Sequence, residues 1–208
     1  MIHKIVLTGG PCAGKSTALD FLKHYFTKQG YIVYTVPETA TELMSNGIEV
    51  FHFPTTLQYQ KCQMNLHRAQ EEAFLYAAKT SRYSNKDHLV ICDRGQFDCK
   101  AYMTEHEFEL AMTDVYGSSN SITDIFNSYD AIFHLSTAAK GAVAAYTLDN
   151  NITRKETKEE AIDLDNKISE AWKDHQNYFF IPCYENFADK MYCLKNSIEE
   201  FLNKCKNN

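Results

Sequence analysis

Thr8-Gly9-Gly10-Pro11-Cys12-Ala13-Gly14-Lys15-Ser16-Thr17 is the stretch on which the reading of this chain turns. Before it, Ile2-His3-Lys4-Ile5-Val6-Leu7 has the apolar centre of a short buried strand. After it, Leu19, Leu22 and Phe26 recur at helical spacing. Strand, glycine-rich turn and helix are the context in which G-x-x-x-x-G-K-[ST] acquires a mechanism. Gly9 and Gly14 bracket the turn, and Lys15-Ser16 complete it. Glycine lets consecutive N–H groups curl into one concavity, and the helix start aims its dipole at the same point. Gly9, Gly10, Pro11, Cys12, Ala13, Gly14, Lys15, Ser16 and Thr17 are therefore expected to cradle the phosphates of a nucleoside triphosphate. Lys15 would reach the β- and γ-phosphates, and the Ser16 hydroxyl would ligate Mg²⁺.

Composition narrows the class. The 208 residues suit one domain with a sizeable core, and 44% hydrophobic with 23% charged residues is ordinary for a soluble globule. With 27 acidic against 21 basic residues the net charge is −6, so no nucleic-acid partner is expected. Arginine occurs only at 68, 82, 94 and 154. Seven cysteines, an odd count with no C-x-x-C, point to a reducing, cytoplasmic setting, and no leader is expected ahead of the first strand. No apolar run approaches the roughly 20 residues of a membrane span. The histidines form no metal pattern, so no structural zinc is expected. Cys12 is read as a small loop-packing residue rather than a reactive thiol.

Tyr31–Val36 is a second strand, giving a βαβ unit with parallel strands. Pro37-Glu38 follows, then a short helix over Thr39–Met44 that Asn46-Gly47 ends. A long helix begins after His52-Phe53, with Pro54 in its first turn, and runs to about Ser81. Its packing face is expected to carry Leu57, Cys62, Leu66, Ala69, Ala73 and Ala77. His88–Asp93 is a strand ending in an acid, the Walker B arrangement, so Asp93 is expected to help hold Mg²⁺; a helix N-cap is the alternative. Helices flank a loop at 117–121, and Asp130–Leu135 is a fourth strand. Thr157-Lys158-Glu159-Glu160 is a capping box, opening a helix with Ala161, Leu164, Ile168, Ala171 and Trp172 on one face. Tyr178–Ile181 is a fifth strand. Asn186 caps a last helix, and the tail from Lys204 is expected to fray. Alternating strands and helices give one α/β domain over 1–208, a mainly parallel sheet covered on both faces. Ligands bind such sheets at the strand carboxyl ends, where every candidate above lies.

These residues resemble the P-loop NTPase domain shared by NadR-type nicotinamide riboside kinases and the TRPL-translocation-defect proteins. The resemblance rests on Thr8–Thr17, Pro37-Glu38, Asp93-Arg94-Gly95 with Asp98, and Asn151, Arg154, Glu156, Glu160, Leu164-Asp165 and Trp172. It covers residue 3 to about 190. It implies a three-layer sandwich whose five-stranded parallel sheet has the order 2-3-1-4-5. A lid segment at about 138–157 would place Arg154 over the triphosphate. Residues matching the nicotinamide-recognition set of the riboside kinases are not found.

The resemblance implies two functions. One is a kinase using ATP (or GTP) and Mg²⁺, in which Glu38 faces the acceptor hydroxyl and Arg94 holds the acceptor or the transferred phosphoryl group. The small-molecule acceptor is unknown. The other is a nucleotide-hydrolysing switch acting through a protein or phospholipid partner. Without an N-K-x-D signature, ATP is preferred to GTP. Glu38 has the alternative of a helix N-terminal acid, and Arg154 that of a surface partner for Glu156 or Glu160.

Overall fold

The computed structural model describes residues 1–118, 121–141 and 157–207. Five parallel strands form one sheet: β1 (Ile2–Thr8), β2 (Ile32–Val36), β3 (His88–Asp93), β4 (Ala131–Leu135) and β5 (Tyr178–Ile181). Their spatial order is β2-β3-β1-β4-β5, as the resemblance implied. Register aligns Leu7 with Asp93, Val36 with Cys92, Thr8 with His134, and Leu135 with Ile181. The connections after β1, β2, β3 and β4 therefore all leave at one rim.

Alternation along each strand sorts the core into two layers. Ile5, Leu7, Leu89, Ile91, Phe133 and Leu135 face α1 (Lys15–Lys28) and α7 (Phe187–Lys206). These helices supply Ala18, Leu22, Phe26, Leu194, Ile198 and Phe201. The intervening Val6, Val90, Cys92 and Ile132 face the other helices. Of these, α2 (Thr39–Ser45) and α3 (Thr56–Lys79) follow β2. Next come α4 (Glu105–Tyr116) and α5 (Ile122–Asn127), and then α6 (Lys158–Trp172). Both members of the expected capping box at Thr157 and Glu160 are present.

Three expectations are corrected. The buried face of α3 carries Tyr59, Gln60, Met64, His67, Glu71 and Ala78, while Ala69, Ala73 and Ala77 are exposed. A hydrophobicity pattern misses this stripe because it is largely polar. Lys4 from β1 ion-pairs with Glu71 at 3.1 Å, His67 lies 3.1 Å from the same carboxylate, and the Tyr129 hydroxyl donates to it at 2.6 Å. Pro54 lies before α3, whose cap is Thr55. The tail does not fray at Lys204: α7 continues to Lys206, which pairs with Asp87 at 3.3 Å. Of the expected lid, Ala138–Lys140 form a 3-10 turn; residues 142–156, with Arg154, lie outside the described residues.

Candidate functional site: a phosphate loop at the sheet rim

The loop between β1 and α1 is built inside out. Each carbonyl from Gly9 to Gly14 accepts a hydrogen bond, those of Gly10 and Gly14 from the loop and α1 themselves and the others with help from elsewhere in the chain. Gly9 O receives Arg94 Nη1 at 3.2 Å and Lys15 Nζ at 3.4 Å; Gly10 O receives Ala13 N at 3.3 Å. Pro11 O receives Thr137 Oγ1 at 2.5 Å, and Cys12 O receives Ala138 N at 3.3 Å. Ala13 O receives Lys190 Nζ at 2.8 Å, and Gly14 O receives Ala18 N at 3.0 Å. With the carbonyls turned outward, the inner surface is left to amides. Among them are the N–H groups of the first turn of α1, which no helix can pair internally. Cys12 (φ 56°) and Gly14 (φ 85°) adopt left-handed backbone to close this curve.

Two glycines are dictated by contact. Gly9 has φ 142°, and a Cβ there would lie 2.1 Å from Leu135 O. At Gly10 it would lie 2.7 Å from the Cβ of Asp165. Asp165, fully buried on α6, accepts the Gly10 N–H at 2.7 Å and lies 3.0 Å from His134 Nε2 and 2.7 Å from Lys140 Nζ. These partners hold its carboxyl low, at about 2, although burial opposes ionisation.

Around the loop stand the charged residues expected from the sequence. Lys15 is buried, and desolvation, with the Arg94 charge adding to it, lowers its pKa. Glu38, at the start of α2, makes no capping bond with its side chain. Instead its Oε1 pairs with Arg94 Nε at 2.5 Å and its Oε2 accepts from Thr41 Oγ1 at 2.6 Å. Burial works against its charge, yet Arg94 and Lys15 outweigh it and hold the carboxyl well below the usual range. Arg94 (φ 73°) also reaches Asp98 Oδ2 at 3.1 Å. Asp98 in turn accepts from Thr8 Oγ1 at 2.6 Å and Trp172 Nε1 at 2.7 Å. Asp93 is no helix cap, since the following 3-10 turn starts at Gln96.

The donor set fits a hard cation. Asp93 is buried, and its Oδ1 has no hydrogen-bond partner among the described residues. Burial lifts its pKa to about 6, against the pull of Lys15. An orphaned carboxylate oxygen at the end of β3, with the hydroxyl of Ser16 exposed in the first turn of α1, offers the oxygen ligands that Mg²⁺ takes.

A family model described as an AAA domain matches residues 4–189. The chain belongs to this AAA domain family. It is a P-loop NTPase domain, and nucleotide binding is the activity that membership carries. No curated protein matches the chain.

The AAA domain thus brings Lys15, Glu38, Asp93 and Arg94 together at one rim, while Arg154 falls outside the described residues. Sequence reasoning assigned no role to three supports of the loop. Asp165 appeared only inside the resemblance, Thr137 gave no signal, and Lys190 lies one residue beyond the matched span. A groove of about 750 Å³ between Lys100–Glu107 and the end of α6 has no lining residue from the loop or the Glu38–Arg94 pair. No helix among the described residues is long and apolar enough to cross a membrane.

Proposed function

We propose that this AAA domain is a Mg²⁺-dependent phosphotransferase that moves the γ-phosphoryl group of ATP (or GTP) to a hydroxyl of a small nucleoside- or riboside-like acceptor. The observation that carries this reading is the Glu38–Arg94 pair, 2.5 Å apart at the strand rim that also carries the phosphate loop. A half-buried carboxylate locked beside the phosphate loop supports a role toward an acceptor rather than toward the nucleotide alone.

Phosphoryl transfer asks for alignment and charge neutralisation more than for covalent chemistry. The loop amides and Lys15 would bind the triphosphate. Ser16 and Asp93 would hold Mg²⁺, which when bound neutralises charge developing on the phosphate oxygens. Arg94, held by Glu38, Asp98 and Gly9 O, keeps Glu38 ionised and fixed in direction. So weak a base orients the acceptor hydroxyl, and the proton leaves late, in keeping with a loose transition state. Arg154, outside the described residues, would by the resemblance add positive charge over the triphosphate.

The test is transfer of label from γ-labelled ATP or GTP, with Mg²⁺, to a panel of nucleosides and ribosides. Label should appear in one acceptor and fall at least ~10²-fold in Lys15→Ala. Nucleotide binding with only slow phosphate release across the panel would refute the kinase reading. A nucleotide-hydrolysing switch acting through a protein or phospholipid partner would then replace it.

A further inference from the structure

Lys190 is in the wrong place for a lysine. It sits in the second turn of α7, near the helix end whose dipole repels cations, and it is 4% exposed. Among the described residues no carboxylate lies within ion-pairing distance of it. Its Nζ instead donates to two carbonyls, Ala13 O at 2.8 Å and Ser136 O at 2.6 Å. Two neutral carbonyls offset only part of the cost of burying its charge. An anion bound nearby would offset the rest.

The geometry shows how a bound anion would be felt. The carbonyl that Lys190 grips belongs to the Ala13–Gly14 peptide, whose other end is the Gly14 N–H at the mouth of α1. A cation on the oxygen polarises that peptide and makes its N–H a stronger donor. We infer that Lys190 is a hidden second cation of the phosphate loop, acting on the bound phosphate chain through the Ala13–Gly14 peptide while pinning the loop to the end of β4. It is a positioning residue, reaching the ligand through the backbone. The inference rests on the nucleotide-binding reading and deepens it.

Burial brings the Lys190 pKa down to about 8. The titratable groups facing it are Lys15 from α1, Asp165 from α6 and the Cys183 thiol after β5. Near pH 8 the free protein therefore carries Lys190 about half-protonated, and a polyanion in the loop draws the proton on.

The experiment titrates inorganic tripolyphosphate, and ATP, with Mg²⁺ at pH 8 by calorimetry. Buffers of different ionisation enthalpy give the protons taken up on binding. Lys190→Arg keeps the charge and the donors but does not titrate. Its affinity should stay within about threefold of wild type, while its uptake falls by up to about half a proton. Lys190→Gln keeps one donor and loses the charge, and should bind at least about tenfold more weakly. Melting curves and Trp172 emission establish folding, and if Lys190→Gln does not fold, Lys190→Arg decides alone. Equal uptake in wild type and Lys190→Arg, or equal affinity in a folded Lys190→Gln, overturns the inference. If wild type binds neither ATP nor tripolyphosphate, the nucleotide-binding reading fails and takes this one with it. Binding by wild type with unresponsive variants refutes this inference alone.

Discussion

Among the described residues, Asp98 should be one of the most costly polar side chains to remove. It is 3% exposed, and its two oxygens take the Trp172 indole N–H at 2.7 Å, the Thr8 hydroxyl at 2.6 Å and Arg94 Nη1 at 3.1 Å. Asp98→Ala leaves the indole N–H and the Thr8 hydroxyl buried without an acceptor, at about 1–3 kcal/mol each. Arg94 keeps Glu38 and Gly9 O, so its share is smaller. The sum is about 2–6 kcal/mol, or a fall in Tm of about 4–24 °C for a chain of this size. Asp98→Asn retains one oxygen for the indole and should cost about 1–2 kcal/mol. Trp172 is the chain's one tryptophan, so urea unfolding followed by its emission reports both the stability and the lost hydrogen bond. An Asp98→Ala protein melting within about 2 °C of wild type with unchanged emission would refute the reasoning.

Gly10→Ala drives a Cβ to 2.7 Å from that of Asp165 and 3.1 Å from its Cα, so the loop or α6 must shift. Calorimetry should show triphosphate binding weakened at least about tenfold and stability lowered by roughly 1–3 kcal/mol. Asp93, with its pKa near 6, must be ionised to hold Mg²⁺. Mg²⁺-dependent nucleotide affinity should fall as pH drops from 7 to 5, and Asp93→Asn should show a low, flat profile. Because folding raises this pKa, the Asp93 contribution to stability is lost as pH rises through 6. Nucleotide-free Asp93→Asn should therefore be more stable than wild type at pH 7. Glu71 behaves oppositely. Burial resists its ionisation, but His67, Lys4 and Tyr129 bring it from 4.5 to about 2, so its stabilisation is present above pH 4.5 and lost as pH falls towards 2. Glu71→Ala strands Lys4 in the core and should cost about 3–5 kcal/mol in chemical denaturation at pH 7.

The fold was open to sequence reading because its strands obey a simple rule. Ile5 and Leu7 alternate with Val6, and Leu89 and Ile91 alternate with Val90 and Cys92, each set serving one layer. The strand order came from resemblance, since periodicity says where strands are and not which ones pair. Helix α3 marks where pattern reasoning breaks down. Its core-facing residues include His67 and Glu71, and the Glu71 carboxylate is at home there because Lys4 and Tyr129 arrive from elsewhere in the chain. Burial of a polar residue is decided by its partner, and a partner 67 residues away leaves no local trace.

The site divides along the same line. Residues that would touch phosphate or metal sit in short motifs, because backbone curvature and helix start must be adjacent in sequence to be adjacent in space. Residues that hold the motif in shape have no such constraint. Asp165 reaches Gly10 across 155 positions, Lys190 reaches Ala13 across 177, and Thr137 reaches Pro11 across 126. Each supplies a side chain to a main-chain group, so the loop's own residues carry no record of who answers them. The phosphate loop is thus a local motif whose geometry is enforced globally. A loop with its carbonyls bonded outward is already shaped before any ligand arrives, so binding would not have to order it first. Substitutions at these remote supports should therefore weaken binding by loosening an empty loop, and substitutions at Lys15 chiefly by removing a contact, since Arg94 still holds Gly9 O. Comparing free and bound loop amide exchange in Asp165→Asn and Lys15→Ala separates the two. Only the former should raise exchange in the free protein, and equal exchange in both would show that the loop shapes itself.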